Sequence, residues 1–488
     1  MSIQFNDFER IFNPENVAVI GVSSEGFGFG KGILLSLKAI GYAGNLYPVN
    51  PKGGTISGLK IYRSIDEIPG SIDFAIIAVP AQKVPDALES CRKKGAVGAE
   101  ILSSGFSEVA TPEGFELDRQ IKEIAAKGIR VIGPNCFGIY CPKSGLTMLP
   151  GPDLSREAGA VAFLSQSGGL SIDFAYLGKW RGIRFSKMVS FGNGCDLRET
   201  EMLEYLRCDP ETKVICLYIE GVKDGRKFFK VLSDTTMEKP VIVMKGGLSD
   251  AGGRAVASHT ASMGGSHKIW KSALRQSNAV QVENLQEMSD MALAFSMLPL
   301  QEYKGMTVIG GGGALGVNAT DMADKMGLST PPLRTDIQEK IRQILPQPGS
   351  SPANPIDIAN PFVPPQILKE TILHASGDGN IQIHIMIQLL HSYKSLASNM
   401  GENHMRKVTP IDSLVTACSS SVTEGGKPLV MILPNYKQEL EAMDIEEVIR
   451  EVRKKLLSTG IPVFDRVKDA LKTIAAISLY EARRKAIY

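Results

Sequence analysis

The chain is sparing with the residues that announce special chemistry. Its seven cysteines are scattered, odd in number and without C-x-x-C spacing, which excludes a disulfide framework and a zinc site of the usual ligand spacing. A reducing cytoplasm suits that usage. Charge of one sign is not in surplus: 54 Lys and Arg stand against 52 Asp and Glu, a formal net charge of +2. A nucleic-acid partner normally leaves a basic excess or patch, and none is expected here. Long apolar runs are also missing. The longest, around Phe74–Ala81, is far short of the roughly 18 residues that cross a bilayer, so no membrane is expected. The first ten residues carry no basic stretch followed by an apolar one, so no secretory signal is read there. Only six histidines occur in the whole chain, and each therefore counts.

What is present is the composition of an ordinary globular protein, 43% hydrophobic and 22% charged over 488 residues. At about 150 residues per domain this makes roughly three domains. The 49 Gly and 27 Pro cluster at the ends of strand-like runs, as strand-to-helix turns of an α/β protein require. In the first third, β-branched runs at Val17–Val22, Asn45–Val49, Phe74–Val79, Gly98–Leu102 and Arg130–Gly133 alternate with helix-spaced stretches at Lys31–Ile40, Ala81–Lys94 and Glu113–Ala126. Such alternation predicts a parallel, doubly wound sheet. A second unit follows a Pro/Gly linker, with strands at Ala160–Leu164, Lys187–Ser190, Val214–Ile219 and Pro240–Lys245, and a third has strands near Met306–Gly310, Ile381–Gln388 and Leu429–Leu433. The divisions read as 1–142, 152–298 and 303–488. The second and third units share a strand–glycine–helix start and an N-x-x-D-[LI] element, Asn193 to Leu197 and Asn354 to Ile358, the pattern of two copies of one fold.

The first glycine-rich turn, Gly21-Val-Ser23-Ser24-Glu25-Gly26-Phe-Gly28-Phe-Gly30-Lys31, links a strand to a helix and so offers backbone N–H groups to an anion. It does not fit the dinucleotide fingerprint. Starting from Gly26 and Gly28 the third glycine position is Lys31, and from Gly28 and Gly30 it is Ile33. At the end of the second strand, Asn50-Pro-Lys52 places a lysine where a ribose-binding acid is wanted. An NAD(P)-linked oxidoreductase is thereby disfavoured, and a phosphorylated ligand with extra negative charge is preferred. No G-x-x-x-x-G-K-[ST] is present either. The other strand ends on this edge carry Val79-Pro80, Ser103-Ser104-Gly105 and Gly133-Pro-Asn135-Cys136, where open α/β sheets bind ligands. Cys136 alone reads as a small buried residue rather than a nucleophile.

In the second unit, Ser165-Gln-Ser167-Gly168-Gly169 repeats the turn, with serine hydroxyls and backbone donors suited to a phosphate or acyl phosphate. The bland alternative is an N-cap serine with glycines for close packing. Further on, Lys245 is followed by a glycine-rich stretch in which His259 stands among small residues. A mobile imidazole on a loop near phosphate-binding helix ends is suited to carry a phosphoryl group. It needs a carboxylate to set its tautomer, and Glu220, at the end of the preceding strand, is the candidate.

Together, Gly133-Pro-Asn-Cys136, Ser165-Gln-Ser-Gly-Gly169 and Gly253-Arg-Ala-Val-Ala-Ser-His259-Thr-Ala-Ser262 resemble the α subunit of the ADP-forming acyl-CoA synthetases, relatives of succinyl-CoA synthetase. The resemblance spans the chain. It implies a Rossmann-like CoA-binding domain followed by two flavodoxin-like, CoA-ligase-type domains. It makes His259 the phosphoryl carrier and Glu220 its partner. Gly21, Ser23, Ser24 and Gly26 would face coenzyme A, with Asn50 and Lys52 near its phosphates. Val79, Pro80, Ser103, Ser104, Gly105, Asn135 and Cys136 would line the rest of its path. Ser165, Ser167, Gly168, Gly169, Asn193 and Gly194 would surround the phosphate. Ile172 stands where the succinyl branch carries an aromatic residue, which favours an apolar acyl group over a dicarboxylate. The family reaction interconverts acyl-CoA, phosphate and ADP with carboxylate, CoA and ATP. Its nucleotide chemistry belongs to an ATP-grasp module that this chain lacks. A separate β subunit, Mg2+ with the nucleotide on that subunit and an α2β2 assembly are implied; no metal is assigned to this chain. The rival reading is a non-catalytic CoA-binding or CoA-sensing protein of the same fold.

Overall fold

The computed structural model describes residues 5–148, 151–260 and 267–487, without the side chains of 152, 257–260 and 487. It forms two compact units, Met1–Ala292 and Leu293–Tyr488.

The first unit contains two main sheets and a small two-stranded one. The strands of the first part are β1 (Asn16–Ile20), β2 (Asn45–Val49), an antiparallel hairpin of β3 (Gly54–Ile56) and β4 (Leu59–Ile61), then β5 (Phe74–Ile77), β6 (Gly98–Ile101) and β7 (Arg130–Ile132). They make a parallel sheet in the order β2-β1-β5-β6-β7. Just beyond β4, Tyr62 adds one parallel bridge to Val49, outside β2. Counting it, the order becomes 3-2-1-4-5-6, that of a Rossmann fold. All four residues of β5 and of β6 are buried, as expected for strands covered on both faces.

A short strand β8 (Gly138–Tyr140) leaves this sheet and pairs antiparallel with the next one. The second sheet continues with β9 (Val161–Ser165), β10 (Phe185–Ser190), β11 (Val214–Ile219), β12 (Val241–Lys245) and β13 (Val280–Val282), in the order β13-β12-β11-β9-β10-β8. Without β8 this is the flavodoxin order 2-1-3-4-5. The second unit repeats it: β14 (Met306–Gly310), β15 (Ile356–Asp357), β16 (Ile383–Ile387), β17 (Leu429–Ile432) and β18 (Val463–Phe464) lie in the order β15-β14-β16-β17-β18. The topology recurs, but the shared N-x-x-D does different work in each copy. Asp196 grips Arg130 through two bonds of 2.8 Å, whereas Asp357 accepts the amides of Gly312 and Ala359.

Two further differences from the sequence expectations concern elements. The stretch after Lys245 is not a loop up to the next helix: Asp250–Thr260 is helical. Ser249 starts it by accepting the amide of Gly252 at 3.0 Å, and that cap offsets part of the cost of two helical glycines. The edge strands β8, β13 and β15, of two or three residues each, are too short to leave a periodic signal. Among the described residues no helix is long and apolar enough to cross a membrane.

Candidate active site

Each expected site residue lies at or near the carboxyl edge of a sheet in the first unit, except Ile172 and His259. The first turn is built by two glycines that the sequence frames do not pair. Gly21 has φ +97°, and its amide and that of Val22 donate to Val49 O at 2.9 and 3.2 Å. A Cβ on Gly30 would sit 2.6 Å from Gly21 O, so the helix Phe29–Ile40 starts against the end of β1 only because Gly30 lacks one. The segment between them stands clear of the sheet. The Ser23 hydroxyl donates to Glu25 O and accepts its amide. Lys31 Nζ donates to Ser24 O and Gly26 O at 3.2 and 3.0 Å. At the tip, Phe27 is 89% exposed. Beside it Asn50 Oδ1 accepts the Lys52 amide at 3.0 Å, and the exposed Lys52 reaches solvent.

The ends of β5, β6 and β7 are bonded to one another. The Ser103 hydroxyl donates to Val79 O, and the Asn135 amide donates to Ser103 O at 2.9 Å. Pro80 precedes the short 3-10 turn Ala81–Lys83, and Ser104 is exposed. Gly105 takes φ +110°, and its amide goes to Glu108 Oε1 at 2.6 Å. Cys136 is 2% exposed, with Sγ 3.3 Å from Ile101 O. Burial pushes its thiol far above the ordinary range, so it is an inert packing residue.

In the second sheet, β9 ends in a turn closed by its own serines. The Ser165 hydroxyl donates to Ser167 O at 2.8 Å and accepts the Ser167 amide at 3.0 Å. Ser167 caps the helix Gly168–Arg181 by accepting the Leu170 amide at 3.4 Å. The amides of Gly168 and Gly169 remain at the open end of a 14-residue helix, a place suited to an anion. Ile172, one turn on, is 6% exposed and belongs to the packed interior. Asn193 and Gly194 border the same edge, but their own polar groups serve the scaffold. The Asn193 amide donates to Pro134 O and the Gly194 amide to Phe191 O. Arg198 donates to the carbonyls of Asn193 and Gly194.

The end of β11 holds the most unusual group. Glu220 is 6% exposed; Oε1 accepts from Tyr218 OH at 3.1 Å, while Oε2 is buried without a hydrogen-bond partner among the described residues. Leaving a buried carboxylate oxygen unpaired costs roughly 1–3 kcal/mol, so a partner for it is expected beyond the described side chains. Gln166 sets its position by accepting the amides of Glu220 and Gly221. Lys245, at the end of β12, donates to Glu220 O at 2.7 Å and to Gly246 O, with its ammonium 5.0 Å from the centre of the Trp270 ring. Burial pulls its pKa down to about 8. Burial and the nearby Glu220 raise that of Tyr218. His259 is on the helix that follows β12, with its side chain outside the described residues.

Sequence reasoning passed over Gln166, Tyr218, Lys245 and Glu108. Gln166 lies inside the serine–glycine motif, and its side chain gained no role because the contact it makes spans 54 residues. Glu108, three residues after Gly105, carries the spacing by which an acid returns to cap a turn.

Residues 15–142 match the family model of the CoA binding domain, and residues 158–295 that of the succinyl-CoA ligase like flavodoxin domain. The α subunit of acetate–CoA ligase [ADP-forming] I from Pyrococcus furiosus is 35% identical over 98% of this chain and 99% of that protein. The 4-hydroxybutyrate–CoA ligase [ADP-forming] of Nitrosopumilus maritimus is 30% identical over 96% of this chain and 63% of that longer one. Among solved structures, the dinucleotide-forming acetyl-coenzyme A synthetase 1 of Ca. Korarchaeum cryptofilum, in complex with phosphate and ADP, matches with a TM-score of 0.83. It is 30% identical, covering 99% of this chain and 98% of that one. The chain belongs to the family of α subunits of the ADP-forming acyl-CoA synthetases, CoA ligases that work with a partner subunit.

Proposed function

We propose that this subunit carries the acyl and phosphoryl half of the reaction, through acyl phosphate and a phosphohistidine at His259. Inorganic phosphate attacks the thioester carbonyl of acyl-CoA; the carbon–sulfur bond breaks and the CoA thiolate leaves with acyl phosphate formed. A nitrogen of His259 then attacks the phosphorus and the carboxylate leaves. The phosphoryl group finally passes to ADP on the partner subunit, giving ATP. Glu220 orients the imidazole and stabilises its cationic, phosphorylated form. The helix start at Ser167–Gly169 supplies fixed N–H dipoles to the developing charge. Ser165 holds that turn closed, and Asn193 and Gly194 form its wall. The first-sheet edge from Gly21, Ser23, Ser24 and Gly26 through Asn50, Lys52, Val79, Pro80 and Ser103–Gly105 to Asn135 forms the coenzyme A path, with the buried Cys136 packed behind it. Ile172 lies behind the helix start, on the acyl side.

The observation that carries this reading is the buried Oε2 of Glu220, unpaired among the described residues and joined through Gln166 to the Ser165–Gly169 turn. A protein that merely sensed CoA would have no use for that carboxylate. The partner is read as an ATP-grasp β subunit in an α2β2 assembly in the cytoplasm. Mg2+ would be held with the nucleotide there; among the described residues of this chain no cluster of three His, Cys, Asp or Glu is suited to a metal. The division is read as 1–142, 152–298 and 303–488, with β8 (Gly138–Tyr140) of the first stretch pairing in the second sheet. Relatives named for acetate and for 4-hydroxybutyrate support a monocarboxylate as the substrate class. The test is co-expression with the β subunit and assay of a panel of CoA thioesters with phosphate and ADP. ATP is expected to form from a short-chain thioester, and no turnover on any of them contradicts the proposal.

A further inference from the structure

We infer that Glu108 is a positioning residue that fixes the thioester side of the site against the phosphate side. The inference rests on the reading just proposed. Glu108 reaches from the 3-10 turn Ser107–Val109 to three donors on two separate sheet edges. Oε1 accepts the Gly105 amide at 2.6 Å, and the Phe106 amide lies 3.2 Å from Oε2. Oε2 also accepts Asn193 Nδ2 at 2.5 Å, from the turn after β10. Asn193 closes the ring. Its Oδ1 accepts Asn135 Nδ2 at 3.4 Å and its amide donates to Pro134 O at 3.0 Å, while the Asn135 amide returns to Ser103 O at 2.9 Å.

The turns after β6, β7 and β10 are therefore locked through one half-buried carboxylate. Bonds from N–H groups to an ionised acceptor are about twice as strong as neutral ones. With the thioester arriving along Ser103–Gly105 and phosphate resting at the helix Gly168–Arg181, the ring sets the distance between the attacking oxygen and the carbonyl carbon. A misplacement of about 1 Å in such an approach costs on the order of 100-fold in rate. The step in which ATP labels the histidine does not involve the thioester, so Glu108 acts on one half-reaction and leaves the other alone.

The test is a reciprocal exchange in the enzyme reconstituted with its β subunit: Glu108→Gln, Asn193→Asp, and both together. Glu108→Gln keeps an acceptor for Gly105 but turns a donor toward Asn193, and Asn193→Asp sets two carboxylates face to face. In the double variant, the amide at 108 donates to the carboxylate introduced at 193, and the ring is whole again with its charge conserved. Cleavage of acyl-CoA by phosphate and labelling of the protein from [γ-32P]ATP are measured side by side. Each single variant is expected to slow cleavage at least about tenfold. Glu108→Gln should do so in kcat, with KM for the thioester and for phosphate within about twofold and ATP labelling undiminished. The double variant should return to within about threefold of the unaltered enzyme. Unaltered cleavage in Glu108→Gln, a parallel loss of both readouts, or a double variant no better than the singles would each overturn the inference. An unaltered enzyme that takes no label contradicts the carrier role of His259 instead, and the exchange still reads on the cleavage rate.

Discussion

Two buried carboxylates in the first unit do opposite things at the scale of single residues. Glu220 has a buried oxygen at a sheet edge, unpaired among the described residues, that is read as the partner of an imidazole. Glu100 lies in β6, 1% exposed, with Oε2 accepting the Ile139 amide at 2.9 Å and Oε1 unpaired among the described residues. Burial raises the Glu100 pKa to about 8, so at neutral pH it keeps a proton that the unfolded chain releases near 4.3. The folded state then binds more protons than the unfolded one between about pH 4.3 and 8, and stability falls as pH rises through that window. Glu100→Gln keeps the acceptor for Ile139 and cannot ionise. Urea denaturation should find it more stable than the unaltered protein at pH 8, by roughly 1–3 kcal/mol, and equal to it at pH 4. A variant less stable at pH 8 contradicts the assignment. Cys136 was legible as a packing residue from its type and neighbours, and Glu220 as a strand-end acid. The burial of Glu220 was not legible, nor was any role for Glu108, because its decisive contact lies 85 residues away.

Among the elements, the start of the helix Phe29–Ile40 is the most exacting. Gly30 meets Gly21 O within 2.6 Å of any added Cβ, and the atom in the way is backbone, which cannot swing aside. Gly30→Ala is therefore expected to push the helix off the end of β1. It should lower stability by about 1–3 kcal/mol, the usual cost of overpacking, and weaken CoA binding in calorimetry more than tenfold. CoA affinity unchanged in a folded Gly30→Ala protein would remove the first turn from the site. Strands whose β-branched runs are buried on both faces were readable to within a residue or two, β12 (Val241–Lys245) and β14 (Met306–Gly310) among them. The helix Asp250–Thr260 was not, since Gly252 and Gly253 each argue against a helix by about 1 kcal/mol. The first-turn glycines were misframed for a related reason: the two that touch are nine residues apart, not in a G-x-G-x-x-G.

At the scale of the whole molecule, the first unit is tied together across its two sheets from the N-terminal side. The helix Phe5–Phe12 packs on β6, where a Cβ on Gly98 would meet Ile11 at 2.7 Å. It also stacks Phe8 and Phe12 on Tyr205 of the second half at 4.6 and 5.3 Å. Beneath them Lys187 is buried between Asp209 and Glu211 at 2.9 Å each, a pairing that desolvated charges require. The order of three doubly wound sheets was legible because each strand–turn–helix unit repeats one hydrophobic pattern. The antiparallel β8, which hands the chain from the first sheet to the second, was not, because three residues carry no period. An enzyme divided between subunits predicts that this chain alone makes no thioester from carboxylate, CoA and ATP, and that adding the β subunit restores turnover; activity of the lone chain contradicts the division. The central claim is the phosphoryl carrier, and it is read most directly by incubating the protein with 32P-labelled acyl phosphate and mapping the label. The account predicts acid-labile label on His259, absent from His259→Ala; label retained by His259→Ala, or found on another residue, would contradict it.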